Sequence, residues 1–345
     1  MPFCIPPSIV MMYCYNMRNR NRFIHLRLHS AYSLLEGAMH VKKLPTVVSK
    51  AGMPAVALTD TNNMFGALEF SEITFNEGVQ PIVGCQVDLA YAKADNPRDN
   101  NPKPLPIVLL AQSEVGYLNL MKLNSCLFLE SGDEPPHVNT SQLQKHNEGL
   151  ICLTGGALGP IGKLLQDGQI DKAQILMKHI SEIFNNRTYI ELQRHGSDGE
   201  KYTIEEAKTE KYFIEMAYSM SLPLVATNDV FFPKREMYAA HDALLCISEG
   251  TYVDQQEDRR RLTPEHYFKS TAEMMDLFSD LPEAINNTIE IAKRCSFKVY
   301  KRDPILPKFA KDEVQELRRQ ANEGLQVRLA VIPHASTIVN YQERL

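Results

Sequence analysis

Tryptophan is absent from the 345 residues, and so is any apolar run of the roughly 18 residues that a membrane-spanning helix needs. Seven cysteines are present, but their number is odd and no two have C-x-x-C spacing. This pattern argues against a disulfide framework or a cysteine-rich zinc site and fits a reduced cytosolic protein. A large excess of charge is also lacking, because 42 acidic and 37 basic residues leave a net charge of −5. That balance argues against a chain-wide surface for nucleic acid and leaves room only for a local basic patch.

Several common catalytic motifs are missing as well. The chain contains neither the G-x-x-x-x-G-K-[ST] loop of nucleotide-binding proteins nor the G-x-S-x-G elbow of serine hydrolases. The glycine-rich stretch TGGALGPIG at 154–162 lacks the lysine of a phosphate-binding loop, so we interpret it mainly as a tight strand-to-helix turn. Aromatic and basic residues are not interleaved in the way that is typical of a groove for single-stranded nucleic acid.

The first 22 residues combine a short, proline-broken apolar part with positive charges that follow it. A secretory signal has the reverse order, with its positive charge first. We expect residues 1–22 to be a disordered extension, with Met17 as a candidate true start. A short ordered strand is the alternative.

Apolar, strand-like runs alternate along the chain with segments of helical pattern. Short buried-type strands separated by helices favour parallel β-α-β units, so the predicted fold class is α/β. Seven such strands suit a barrel better than an open sheet, although the periodicity alone does not separate the two. Polar loops are expected at 92–104, 130–139 and 254–261. The predicted strands are 23–28, 54–58, 80–89, 105–111, 149–153, 187–192 and 222–226, and the predicted helices lie near 41–51, 63–76, 114–128, 159–184, 203–220, 236–248, 272–279, 281–294 and 311–330.

Several predicted strands are followed by residues of the metal-binding type. His29 follows the first strand and Asp60 the second, while His195 and Asp229 follow the last two. Because side chains at the carboxyl ends of barrel strands converge on one face, two imidazoles and two carboxylates there would suit zinc, manganese or iron. As alternatives, the aspartates cap the helices that follow them, and the histidines are an interior residue and an exposed loop residue.

Six segments, taken in order, resemble one known family: the PHP (polymerase and histidinol phosphatase) domain that opens the α subunit of bacterial DNA polymerase III. The resemblance runs from about residue 23 to the end of the chain, and the combination of segments is far more specific than any one of them. The last segment argues against an unrelated barrel of the amidohydrolase type. The segments are FIHLRLHSAYSLLEG, PAVALTDTNNMFGALEF, GVQPIVGCQVDLA, IELQRHG, LVATNDVFF and PEAINNTIEIAKRC.

This resemblance implies a distorted seven-stranded (β/α) barrel of the TIM-like type over residues 23–300. Residues 301–345 would then be a helical linker that leads towards a polymerase body absent from this chain. In active members of the family, histidine, aspartate and glutamate side chains at the carboxyl face of the barrel bind several metal ions. Those ions support phosphoester hydrolysis by activating water and neutralising phosphate charge.

Compared with active members, this chain lacks several ligands at the matching positions. Arg27 stands where the opening H-x-H motif has its first histidine, and Thr61 follows Asp60 where a histidine is expected. Gln86 replaces a glutamate and Phe231 replaces a histidine, while glycines occupy positions 155 and 156, where a cysteine or similar ligand is common. Arginine cannot lose its proton and repels a cation, and the other replacements are poor ligands or none. The losses should remove most of the metal affinity of the site.

What remains is a vestigial set of ligands, namely His29, Asp60, His195 and Asp229. Arg27 is expected to fill the vacated space by pairing with Asp60 or Asp229 in a charge-assisted contact. We therefore expect no tightly bound cofactor. The alternative is a reduced site that keeps one zinc or manganese ion.

The resemblance also implies a function. The chain would be the N-terminal PHP domain of a replicative polymerase subunit, whose magnesium-dependent DNA synthesis resides beyond residue 345. The domain itself would be a non-hydrolytic structural module in the bacterial cytoplasm that does not bind a membrane. The implied partners are the other subunits of the polymerase III holoenzyme, especially the proofreading exonuclease, and DNA through the full-length protein. The alternative is an enzyme in its own right, a metal-dependent 3′–5′ exonuclease or phosphoesterase.

Overall fold

A computed structural model of the chain describes residues 22–91, 102–255, 259–304, 306–332 and 341. Except for its last residue, the predicted extension at 1–22 lies outside the described residues. Parts of the predicted loops 92–104 and 254–261 also lie outside them.

The described strands form one sheet, and six of the seven predicted strands agree with it to within two residues. The strands are β1 (Ala55–Leu58), β2 (Gln80–Ala90), β3 (Leu105–Ala111), β4 (Val138–Asn139), β5 (Leu150–Leu153), β6 (Thr188–Leu192) and β7 (Leu224–Ala226). The α-helices are α1 (Leu44–Lys50), α2 (Ala67–Asn76), α3 (Glu114–Leu129), α4 (Thr140–Lys145), α5 (Pro160–Gln166), α6 (Ile170–Phe184), α7 (Ile204–Met220), α8 (Tyr238–Glu249), α9 (Thr271–Leu277), α10 (Pro282–Arg294) and α11 (Glu313–Val331).

Three details differ from the sequence prediction. The predicted helix 159–184 is in fact two helices, α5 and α6, because Gly168 takes a φ of 73° between them. The short elements β4 and α4 were not predicted. Most neighbouring strands are parallel, as predicted, but β3 is antiparallel to both β2 and β5. The sequence between β2 and β3 has no helical pattern, and a parallel crossover needs a connection that is usually a helix.

The sheet order is β1-β2-β3-β5-β6-β7, and residues 23–30, here called the opening segment, join its two outer strands. On one side, the N–H groups of Ala57 and Thr59 donate to the carbonyl oxygens of His25 and Leu28, at 2.8 and 2.9 Å. On the other side, the N–H of His29 donates to the carbonyl oxygen beyond β7, that of Val230, at 2.8 Å. The opening segment is therefore the seventh member of a closed ring, and the prediction of a distorted seven-stranded barrel is confirmed.

The opening segment contains a bulge. Ala57 and Thr59 are two positions apart, whereas their acceptors, His25 and Leu28, are three positions apart. One extra residue in a strand of this kind breaks the alternation of side chains between the two faces. Leu26 accordingly packs in the inner core of the barrel, and the next residue, Arg27, also reaches inner strand residues.

Helix α10 covers the end of the barrel at which the strands begin. Ile289 packs with Leu26 in the inner core. Gln80, the first residue of β2, donates through Nε2 to the carbonyl oxygens of Ala292 and Cys295, at 2.7 and 2.8 Å. The opposite end of the barrel, at which the strands end, contains buried polar and charged side chains such as Arg27, His29 and Asp229. We call this end the mouth.

The chain divides after Tyr300 into two compact units, the second of which contains α11. Among the residues that the structure describes, no helix is both long enough and apolar enough to cross a membrane.

Candidate functional site

The candidate site is an ionic cluster at the mouth, where the opening segment and strands β2, β6 and β7 end or nearly end. It combines two basic side chains, two carboxylates and one amide, all of which are at most 7% exposed. The members of this mouth cluster are Arg27, His29, Gln86, Glu191 and Asp229.

Arg27 is the centre of the mouth cluster. Its Nη2 donates to Oε1 of Gln86 at 2.6 Å, and its Nη1 lies 3.4 Å from both carboxylate oxygens of Glu191. Its Nε lies 2.9 Å from Oδ1 of Asp229, but the N–H does not point along a hydrogen bond, so this contact is an ion pair only. Of the two aspartates considered as partners from the sequence, Asp229 is therefore the one that Arg27 contacts.

Glu191, in β6, is a member that the sequence analysis did not single out. Its Oε1 accepts the hydroxyl of Thr227 at 2.5 Å, and its Oε2 accepts the backbone N–H of Gly155 at 2.9 Å. The sequence does indicate a role for Glu191, because it is the one charged residue in the buried-type strand TYIEL. A buried carboxylate needs a nearby cation and hydrogen-bond donors. Arg27 supplies that cation.

His29 is engaged through both of its ring nitrogens. Nε2 lies 3.0 Å from Oδ1 of Asp229, and Nδ1 lies 3.2 Å from the hydroxyl oxygens of Ser33 and Thr61. Those two hydroxyls donate to Asp60 and Glu36, each at 2.7 Å. His29 therefore links Asp229 to the turn that follows the opening segment.

Asp60 lies beside the mouth cluster and serves the turn that follows the opening segment. It accepts the backbone N–H of Ser30 at 2.6 Å and the hydroxyls of Ser30 and Ser33 at 2.8 and 2.7 Å. Asp60 therefore connects this turn to the end of β1. It neither caps a helix nor contacts Arg27.

His195 lies on the other side of Asp229. Its Nδ1 lies 2.7 Å from Oε1 of Glu206, and its Nε2 accepts the backbone N–H of Asp229 at 3.2 Å. Its ring stacks on that of His266, with centroids 4.0 Å apart. The structure thus brings three of the four predicted ligands, His29, His195 and Asp229, into direct contact, while Asp60 is directed elsewhere.

Two of the positions at which the resemblance predicts lost ligands, Phe231 and Thr61, make other contacts. Phe231 stacks flat on His29, with ring centroids 4.2 Å apart, and keeps water from that side of the imidazole. Thr61 holds Glu36, which in turn pairs with Arg260 at 2.6 Å. Both replacements therefore build the walls of the mouth.

The charges of the mouth cluster stabilise one another. Burial acts to raise the pKa of Asp229, but Arg27 and His29 outweigh it and hold that pKa well below its ordinary range. Burial likewise opposes the charge of Arg27, and Asp229 and Glu191 raise its pKa above the ordinary value. The guanidinium of Arg27 and the carboxylate of Asp229 thus stabilise each other's charge in a water-poor site.

These residues do not fit a divalent metal ion. In the described ranges, no group of three or more histidine, cysteine, aspartate or glutamate side chains is arranged to hold one. The ring nitrogens of His29 and His195 are engaged by neighbouring groups, and the guanidinium of Arg27 would repel a metal ion held by Asp229. A side chain at position 155 is excluded as well, because its Cβ would lie 2.0 Å from the carbonyl oxygen of Pro106.

His25, two residues before Arg27, does not join the mouth cluster. Its Nε2 lies 2.8 Å from the carbonyl oxygen of Lys269, its Nδ1 has no partner, and its ring lies between Phe23 and Phe268. Burial, the largest influence, lowers its pKa from the ordinary 6.5 to about 4. The folded protein therefore resists protonation of this ring.

We expect the stability of the protein to fall as the pH is lowered from 6.5 towards 4. The depressed pKa contributes stability that is fully present above the unfolded value of 6.5 and declines as the pH falls through the folded one, by up to about 3 kcal/mol. Urea unfolding at several pH values should show a flatter profile for His25→Phe than for the parent. His179 is exposed, so His179→Phe should keep the parent profile. Equal dependence of the free energy of unfolding on pH in all three proteins would contradict the lowered pKa of His25.

Comparison with known proteins agrees with this architecture. The PHP domain family matches residues 25–195, which include most of the opening segment, strands β1 to β6 and four of the five members of the mouth cluster. Residues 25–195 of the chain are therefore a PHP domain.

Within that family the chain is similar to DNA polymerase III α subunits. It is 45% identical over 328 residues to the DNA polymerase III subunit alpha of Caulobacter vibrioides, a match that covers 94% of this chain and 28% of that protein. The corresponding subunit of Rickettsia bellii is 38% identical over 314 residues, covering 90% of this chain and 26% of that protein. The chain thus spans about a quarter of the length of these curated relatives. Among solved structures, an amidohydrolase from Chromobacterium violaceum is 14% identical with a TM-score of 0.40, covering 61% of this chain and 88% of that one.

Proposed function

We propose that this region is the N-terminal PHP domain of a DNA polymerase III α subunit and that it is a structural module without hydrolytic activity. The observation that carries the proposal is the mouth cluster, in which Arg27 pairs with Glu191 and Asp229 and His29 contacts Asp229. Hydrolysis by active members depends on water and phosphate held by metal ions. A mouth filled by the protein's own cations instead joins the opening segment to β2, β6 and the end of β7.

The wider function is that of the longer polypeptide. We infer DNA-directed DNA synthesis with magnesium, a place in the polymerase III holoenzyme of the bacterial cytoplasm, contact with DNA through the full-length protein, and docking of the proofreading exonuclease subunit. The support is the similarity to DNA polymerase III α subunits over 94% of this chain. A polymerase assay of the longer polypeptide and a pull-down of residues 1–345 with the exonuclease subunit test these inferences. Retention of the exonuclease subunit would support the docking inference, and its loss in the wash would contradict it.

Purified protein should contain no stoichiometric zinc or manganese, and a chelator should leave its melting temperature unchanged. The reason is that the candidate ligands are already engaged by Arg27, Glu206 and neighbouring hydroxyls. Elemental analysis and thermal melts with EDTA or added manganese measure this. Stoichiometric metal together with nuclease activity that His195→Ala abolishes and His179→Ala preserves would instead establish a metal-dependent exonuclease or phosphoesterase.

A further inference from the structure

Helix α3 presents an apolar face to solvent. Its inner side packs in the hydrophobic core through Leu120, Leu123 and Leu127, which are fully buried. Single exposed apolar residues are common on proteins, but a contiguous exposed patch marks an interaction site. Five of the eight exposed residues of α3 are large and apolar. These five residues, here called the α3 face, are Val115, Leu118, Met121, Phe128 and Leu129.

The α3 face is a continuous strip. Successive residues of a helix are rotated by about 100°, so its five members fall within an arc of about 140° and extend over about 21 Å along the axis. Leu129, at one end, is 81% exposed. Lys122 and Ser125 are exposed within the same arc and lie near its middle. The strip is therefore apolar towards both ends and polar at its centre.

The spacing within this strip is that of a seam between paired helices. Positions 115, 118, 122, 125 and 129 follow one another in alternating steps of three and four, as in a coiled coil. A partner helix that was apolar throughout would bury the ammonium group of Lys122 without an acceptor, which is costly. The seam therefore fits a helix that is apolar at both ends and offers a hydrogen-bond acceptor opposite Lys122.

Helix α3 of a second copy has this pattern. When two α3 helices lie antiparallel about a two-fold axis between residues 123 and 124, Leu118 lies opposite Leu129 of the second copy. Met121 then lies near Phe128 of the second copy, and Lys122 lies opposite Ser125. The hydroxyl of Ser125 donates its own proton to the carbonyl oxygen of Met121, at 3.0 Å, so it can accept from an ammonium group. Each of these contacts occurs twice in the pair.

We propose that the α3 face is a self-association surface, on which two copies of this chain pair through antiparallel α3 helices. The contact closes as a dimer, because the same surface serves both copies. This inference does not depend on the proposed function. Each copy carries a net charge of −5, so the copies repel each other at a distance, and added salt should tighten the pairing.

Sedimentation velocity of residues 1–345 over a wide range of concentration tests the proposal. The parent protein should pass from monomer to dimer as its concentration rises. Leu129→Lys should raise the dissociation constant of the dimer roughly tenfold or more, because two leucine contacts are lost. Ile175→Lys is the matched control, since Ile175 is 69% exposed on α6, and it should leave the dissociation constant unchanged. Circular dichroism verifies that each variant is folded.

A mixing experiment tests the antiparallel register. Leu118→Glu and Leu129→Lys should each be monomeric alone, because each homodimer would place two charged side chains opposite leucines. Mixed in equal amounts, they should form a heterodimer, in which one glutamate meets one lysine and the other leucine pair is intact. A mixture that stays monomeric would overturn the antiparallel pairing.

Two further outcomes would overturn the proposal as a whole. A parent protein that stays monomeric at every concentration and salt level would show that a different polypeptide, or water alone, covers the α3 face. A dimer that persists unchanged in Leu129→Lys would show that two copies pair through another surface.

Discussion

Replacing Arg27 by methionine is expected to lower the free energy of unfolding by about 3–5 kcal/mol, the range found when one partner of a buried ion pair is removed. Methionine keeps much of the length of the side chain but leaves Glu191 and Asp229 as buried carboxylates without a guanidinium. It also leaves Oε1 of Gln86 without its donor. Urea unfolding followed by circular dichroism measures the difference.

Two further variants separate charge from packing at the mouth. Arg235, which is about half exposed and pairs with Glu265 at 2.8 Å, is the surface control, and Arg235→Met should change stability by about 0–1 kcal/mol. In the double variant Arg27→Met with Glu191→Gln, one of the unpaired charges is gone, so part of the lost stability should return. An Arg27→Met protein as stable as the parent would show that the mouth cluster contributes nothing to the fold.

Replacing Gly155 by alanine should destabilise the protein by more than about 4 kcal/mol or prevent its folding. Gly155 has a φ of 85°, and a Cβ there would lie 2.0 Å from the carbonyl oxygen of Pro106 in β3. Neither backbone can move freely, because the N–H of Gly155 also donates to Glu191. Soluble yield and melting temperature measure the effect.

Gly168→Ala is the matched control for this substitution. Gly168 has a similar φ of 73°, but nothing lies within 4 Å of a Cβ built on it. Only the backbone strain applies there, at about 1–2 kcal/mol. Equal losses in the two variants would show that the contact between the turn and β3 is unimportant.

The barrel could be predicted because its strands are short, apolar and separated by helical patterns. Segment 105–111 was predicted with the bounds of β3, whereas its antiparallel direction was not, since direction depends on pairing rather than on residue type. Gly168 is a visible helix breaker, but the apolar period continues on both sides of it, so α5 and α6 look like one helix. The opening segment looks like a regular strand in the sequence because apolar and polar residues keep alternating through the bulge, from Ile24 to His29.

The candidate site could be predicted only in part from the sequence. His29, His195 and Asp229 follow strands, and parallel strands bring such residues together. Glu191 was missed because it lies within a strand, and its importance comes from Arg27, which is 164 positions away. The side chain of Asp60 is directed towards its donors in Ser30 and Ser33. The turn that follows the opening segment positions these two serines, and no spacing rule predicts that position.

The closure of the barrel by its own opening segment has a consequence for biosynthesis. His29 and Asp229 are separated by 200 positions, so the opening segment waits for β7 before its second edge is paired. Long-range pairing of this kind slows folding and exposes strand edges in the nascent chain. Until the segment that follows β7 emerges, Arg27 lacks Asp229 as a partner, and a chaperone that shields the opening segment during translation would protect this unpaired edge.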